Sequence, residues 1–306
     1  DCDMKKRIIS MLLVVSMICM LPGMGVFADT LDFNDTPYLA LGADLTPSQK
    51  NTVLDLLGVE QDKMEQYKVV TVTNQEEHEY LGDYLSDSVI GTKALSSVLV
   101  TQAKADSGIS VETHNINYCT DVMYCNALVT AGIVDADVVV AGPFNLTGTA
   151  ALVGTIKAYA EMTGTDVSKD SIDAATNELV LTGELGDELS GDLGGDDEGK
   201  ETAGELMALV KQKVVEGKLS KPAEIMSAVD DSCKELDIKL SDESKQKIVD
   251  VMSKISKLDL DMSTLKTQVK DLYNKLSKIE IDTDGLWNKV CNFFSKVADF
   301  FQGLFS

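Results

Sequence analysis

Between Tyr67 and Gly142 the chain alternates short β-branched runs with capped helical segments, and that alternation restricts it to a sheet layered with helices. "YKVVTVT" (Tyr67–Thr73) and "ADVVVAG" (Ala136–Gly142) read as strands, the second as a buried one. "ALSSVLVTQA" and "ISVETHNINY" flank Asp106-Ser107-Gly108, a turn signal, and predict a β-hairpin. Thr46, Pro47 and Gln49 predict a boxed and capped helix that Gly58 stops. Asn74 with Glu77 three residues on predicts a helix to about Leu85, Thr120 caps one through Ala131, and Thr147 to Met162 forms another. The order β-α-β-β-α-β is that of a ferredoxin-like, split-βαβ sandwich, so the expected fold class is α+β with extra helices.

Composition changes near residue 183. "TGELGDELSGDLGGDDEGK" (Thr182–Lys200) is rich in Gly, Asp and Glu and has no aromatic residue, so 183–200 reads as an exposed acidic linker. It would part an α/β domain at 29–182 from a helical region at 201–282 and a terminal helix at 283–306. Leu219-Ser220, Leu240-Ser241, Met262-Ser263 and Thr283-Asp284 recur at spacings of 21, 22 and 21 residues, each pair ending in a residue suited to cap a helix. Ile248, Val251, Ile255, Leu258, Met262, Leu265 and Val269 also alternate by threes and fours, which suits a coiled-coil seam. The apolar-acidic alternation before each cap has period two and breaks a helix, so short repeated helices are expected.

The last segment, "GLWNKVCNFFSKVADFFQGLFS" (Gly285–Ser306), holds the only tryptophan. Placed at helical periodicity, Leu286, Trp287, Val290, Phe293, Phe294, Val297, Phe300, Phe301, Leu304 and Phe305 share one face, and no apolar residue strays to the other. Such a face suits packing on the chain itself, an envelope protein partner or a membrane surface.

The first residues predict export. Met4-Lys5-Lys6-Arg7 is a basic n-region, Ile8 to Leu21 an apolar run too short to span a bilayer, and Val26-Phe27-Ala28 a small-residue site for cleavage near Ala28. Asp1, Cys2 and Asp3 precede the expected start at Met4. The mature chain would be secreted. A formal net charge of −23, 50 acidic residues against 27 basic, argues against nucleic acid as a partner, because binding to phosphates rests on Lys and Arg.

Motifs for chemistry are sparse. Neither a Gly-x-Ser-x-Gly elbow, a Walker loop nor a dinucleotide fingerprint occurs, and no cofactor is expected. Cys119 and Cys125 could form a disulfide after export or serve as two small buried hydrophobes. His114 with these cysteines matches no standard zinc spacing, and "EIDTDG" (Glu280–Gly285) opens like a calcium loop but lacks its final carboxylate, so no metal site is expected. The candidate ligand pocket is Ser96, Ser97, His114, Thr120, Thr147 and Thr149. The last two stand at a strand-to-helix turn whose backbone N–H groups could face an anion. In the alternative reading, Ser96, Ser97, His114, Cys119 and Thr120 around the hairpin at 94–120 form an enzymatic site.

"LGADLTPSQKNTVLDLLGV", "HEYLGDYLSDSVIGTKALSSVLV" and "THNINYCTDVMYCNALVTAGIVDADVVVAGPFNLTGTAALVGTIKAY" resemble the YpuA-like family of secreted Gram-positive proteins, a domain of unknown function. The resemblance covers about residues 38 to 190 and extends more loosely over the helical half. It implies export and a Gram-positive envelope setting, and it carries over no catalytic residue. The expectation is therefore a secreted, envelope-associated binding or structural protein; the alternative is an extracellular enzyme.

Overall fold

The computed structural model describes residues 36–276 except 165 and 194, with the backbone alone at 192 and 271–276. The leader, the cleavage site near Ala28 and the terminal segment from 283, with all ten of its apolar-face residues, lie outside the described residues.

The sheet begins earlier than the β-branched runs suggest. Strand β1 (Tyr38–Gly42), "YLALG", is buried throughout and contains no β-branched residue. It pairs in parallel with β2 (Lys68–Val72) and antiparallel with β3 (Ser97–Gln102). Between β1 and β2 runs α1 (Pro47–Leu56), whose N-cap Thr46 and Gln49 form the expected capping box. Beyond β2 come α2 (Asn74–Leu81) and the single turn α3 (Asp87–Ile90). The next strands are β4 (Ile109–Ile116) and β5 (Ala136–Leu146), joined by α4 (Asp121–Thr130), whose cap is Thr120 as expected.

The spatial order is β2-β1-β3-β5-β4. That overturns the ferredoxin-like arrangement and the hairpin within it. β3 and β4 do not pair; β5 lies between them, antiparallel to β3 and parallel to β4. The reason is burial. The run Val138-Val139-Val140 is apolar on both faces and belongs inside a sheet, whereas β4, "ISVETHNI", has no fully buried residue and suits an edge. The turn at 106–108 is tied instead to the start of β5: Asp135 accepts hydrogen bonds from Asp106 N at 3.0 Å and Gly108 N at 2.8 Å.

One face of the sheet, carrying Tyr38, Ala40, Val98, Val100, Val138 and Val140, packs under α4 and α5 (Thr149–Thr163). The other, carrying Leu39, Leu41 and Ala141, packs under Val53, Leu54 and Leu57 of α1 and its end. The crossovers β1–α1–β2 and β4–α4–β5 step the same way across the sheet with their helices on opposite faces. They therefore have opposite hands, a departure from the usual right-handed rule.

The stretch 183–200 is not a linker. Helix α6 (Lys169–Leu193) runs through most of it and α7 (Asp196–Glu216) starts before it ends. The two pack back to back, and the glycines make that approach possible. A Cβ on Gly199 would lie 2.3 Å from Gly186 O, and one on Gly186 would lie 2.6 Å from Lys200 Cγ. Leu185 and Leu189 are buried in one apolar cluster with Val129 of α4, with α7, and with α8 (Pro222–Glu235), α9 (Asp242–Ile255) and α10 (Met262–Leu276). The helices thus continue the α/β layer.

The last three described helices are short, and the chain leaves helix at Leu258–Asp261, so no continuous coiled-coil seam forms across it. Among the described residues the matched caps do not recur. Ser241 caps α9 by accepting from Ser244 N, but α8 starts after Lys221 with no side-chain cap, and at α10 Asp261 accepts from Thr264 N at 2.6 Å.

Candidate functional site

Four strands, β1, β2, β4 and β5, run in one direction, so their carboxyl ends share one edge of the sheet. In open α/β sheets that edge is where ligands lodge. Two helices start there. Helix α2 leaves β2 through Thr73, whose hydroxyl accepts from Glu76 N while the Glu76 carboxylate accepts from Thr73 N. The cap lies one residue before the expected Asn74–Glu77 pair, which frees Glu77 to point inward on the same side as Leu81. Helix α5 leaves β5 through Gly148, which takes φ 94°, and a Cβ there would lie 2.4 Å from the Tyr124 hydroxyl oxygen. Tyr124 donates that hydroxyl to Gly148 O, fixing the turn.

Between the two starts is a cleft of about 320 Å3, closed on its third side by α3 and the loop to β3. Glu77 stands on its wall and is 1 % exposed. Thr149 Oγ1 donates to Glu77 Oε1 at 2.8 Å, and Asn74 Nδ2 donates to Oε2 at 3.1 Å and to Gly91 O at 3.3 Å. Burial pushes the Glu77 carboxyl above its ordinary range, against the pull of these two hydrogen bonds and of His78. Ser96 Oγ accepts at 2.9 Å from Ala151 N, an amide of the first turn of α5 that also reaches Gly148 O at 3.2 Å, which leaves the hydroxyl proton to donate. Thr147, Leu146, Val89 and the exposed Lys93 also line the cleft.

Of the residues expected at a pocket, Ser96, Thr147 and Thr149 meet in this cleft. Ser97, His114 and Thr120 do not line it. Ser97 Oγ accepts from Gly42 N at 3.1 Å, Thr120 is spent as a helix cap, and His114 sits on the edge strand, 3.3 Å from Glu112. The polar cluster drawn around a hairpin dissolves because β5 separates its two sides. Cys119 is buried, and burial pushes its thiol up to about 12, the opposite of what a nucleophile needs. It makes no bridge with Cys125, whose Sγ donates to Ile109 O at 3.8 Å from within α4. Among the described residues no three His, Cys, Asp or Glu side chains gather as metal ligands.

The residue that sequence reasoning assigned wrongly is Glu77, taken for a cap partner. A signal was present: Thr73 and Glu76 form the same spacing one position earlier, which leaves Glu77 on the apolar side with Leu81.

Fold and cleft together define a mixed α+β protein, a five-stranded sheet backed by a helical bundle, with a partly polar pocket at the carboxyl edge of its strands. The chain belongs to the family described as "Protein of unknown function (DUF1002)", which matches residues 41–272, across sheet and helices alike. It is 41 % identical over 267 residues to the uncharacterized protein YpuA of Bacillus subtilis (strain 168), covering 87 % of each chain. No solved structure matches it.

Proposed function

We propose that the chain is an exported ligand-binding protein of the cell envelope and that the cleft beside Glu77 holds its ligand. The observation that carries this reading is the cleft itself, where a buried carboxylate and the hydroxyls of Ser96, Thr147 and Thr149 converge on a hollow with an apolar wall. Convergent polar groups beside an apolar wall are a common form of small-molecule site, and here Val89 and Leu146 supply that wall. Binding is favoured over turnover because the cysteine nearest the strand end is sealed and its thiol is held protonated, and Ser96 is engaged with the backbone rather than with a base. Export rests on the sequence of the leader and on the family resemblance. The terminal apolar face is proposed as a separate contact to a membrane surface or an envelope protein.

The test is thermal melting of the chain 29–306, alone and with a soluble digest of Gram-positive cell wall, beside Thr147→Trp, which fills the cleft. The digest should raise the melting temperature of the parent and leave the variant unmoved. Equal stabilisation of both would remove the ligand from the cleft. For the tail, sedimentation with liposomes should separate 29–306 from a form ending at Asp284; if both stay in solution, the membrane contact is ruled out.

A further inference from the structure

The described residues contain two glutamates that are essentially inaccessible, and the fold treats them differently. Glu178 of α6 is fully buried and has Lys211 of α7 at 3.0 Å, also fully buried. Glu77, 1 % exposed, has no such partner. Its oxygens receive only the neutral donors Thr149 and Asn74, and among the described residues no lysine or histidine nitrogen lies within ion-pair distance. His78, next along α2, is bonded to Gly91 O and Asp87 and acts on Glu77 through its charge without an ion-pair contact, and Lys93 is exposed on the cleft lining. Asp44, after β1, adds negative charge. Buried charge is ordinarily paired, and where one member of a pair is missing the site is costly to hold. Glu77 lines the cleft, whereas Glu178 is sealed with Lys211 among the helices.

We propose that the cation missing from Glu77 is supplied by the ligand, and that the cleft binds a small organic ammonium. The ammonium hydrogen-bonds the Glu77 carboxylate, while the remainder of the molecule rests on Val89 and Leu146 and meets the hydroxyls of Ser96 and Thr147. Thr149 and Asn74 are positioning residues: each holds one oxygen of the Glu77 carboxylate, and each oxygen keeps a lone pair that an ammonium could use. The acidic surface of the chain favours the approach of a cation. This inference rests on the cleft being the binding site. Because burial raises the Glu77 carboxyl, ammonium binding strengthens as pH rises and Glu77 ionises, with His78, Asp44 and Lys93 the other titrating groups around it.

The experiment uses isotope-labelled chain 29–306 and three probes of one shape at millimolar concentration: benzylammonium, benzyl alcohol and benzoate. Amide signals of Gly91, Ser96, Thr147 and Thr149 report on the cleft. Benzylammonium should shift them with about tenfold or more tighter binding than benzyl alcohol, as a charge-assisted hydrogen bond gives. Glu77→Gln should erase that preference while keeping the weak shifts with benzyl alcohol and the melting temperature of a folded chain. If benzyl alcohol or benzoate binds at the same amides as tightly as benzylammonium, the ammonium assignment is overturned and the cleft survives. If no probe moves these amides, the cleft falls with it.

Discussion

Lys211→Met isolates the value of a buried charge in this fold. Lys211 Nζ lies 3.0 Å from Glu178 Oε1, 3.0 Å from Thr130 Oγ1 and 2.9 Å from Asn126 O, all out of contact with water. Burial pushes Glu178 upward, and Lys211 with Thr130 pulls it back. Methionine keeps the length of the side chain and removes the cation. Glu178 then avoids standing as a lone buried anion by taking up a proton. Starting from its ordinary value of 4.5, holding that proton at pH 7 costs about 2.5 units of 1.36 kcal/mol, or about 3.4 kcal/mol. This lies within the roughly 3–5 kcal/mol seen when one partner of a buried pair is removed. At pH 5 the same proton costs less than about 1 kcal/mol. The sign follows: with the folded value raised, stability is greatest below 4.5 and declines as pH climbs through the folded value. Urea unfolding followed by circular dichroism at pH 5 and pH 7 measures both figures. Lys211→Met with Glu178→Gln should recover most of the loss at pH 7, since no charge remains. A deficit under about 1 kcal/mol at pH 7, or the same deficit at both pH values, would show that the pair is not what holds this site.

Three further outcomes are expected. Gly199→Ala should destabilise by about 1–3 kcal/mol, because its Cβ would meet Gly186 O. Gly191→Ala, with open space around it in the facing helix α6, should stabilise by up to about 1 kcal/mol; two neutral results in denaturant melts would restore the linker. Cys119 should resist iodoacetamide at pH 8 until the chain unfolds, since its thiol is raised to about 12, and rapid labelling of the native protein would contradict the burial described. Burial and the neighbouring Glu201 push Glu205 up to about 8, so its contribution to stability is complete below about 4.5 and is lost as pH rises through 8. The melting temperature should therefore fall between pH 6 and pH 9, and Glu205→Gln should flatten that fall; an unchanged slope would refute the assignment.

Helix starts were the most legible part of the chain, because a cap is a local event. Thr46, Thr120 and Ser241 act as their neighbours in sequence require. The sheet was less legible. "YLALG" lacks β-branched residues and lies before any turn signal, so β1 was missed; without it the strand order could not come out right. The hairpin failed because a turn signal reports only that the chain reverses, whereas pairing depends on which strand tolerates burial on both faces, and that was Val138 to Val140. The glycines of 183–200 misled for a physical reason. Gly weakens an isolated helix, but between two helices it permits contact that a Cβ would forbid, and one sequence read alone shows only the first effect. Three of the cleft residues were legible from the strand-to-helix turn and the start of β3. Glu77 was legible only in its side of the helix, through the Thr73–Glu76 spacing; its partner Thr149, 72 residues away, was not.

Asn126 belongs to α4, yet its side chain is completed from far downstream. It donates to Gly204 O at 2.8 Å and accepts from Gln268 Nε2, 142 residues along the chain. A polypeptide that emerges from its amino end therefore presents α4 long before the groups that satisfy it exist in folded form. The sheet and its first helices can collapse early, but a buried amide waits half-solvated until α10 arrives. Contacts so distant in sequence are the kind whose closure slows folding. In this molecule α10 closes over Asn126: without it that buried amide oxygen loses its protein donor.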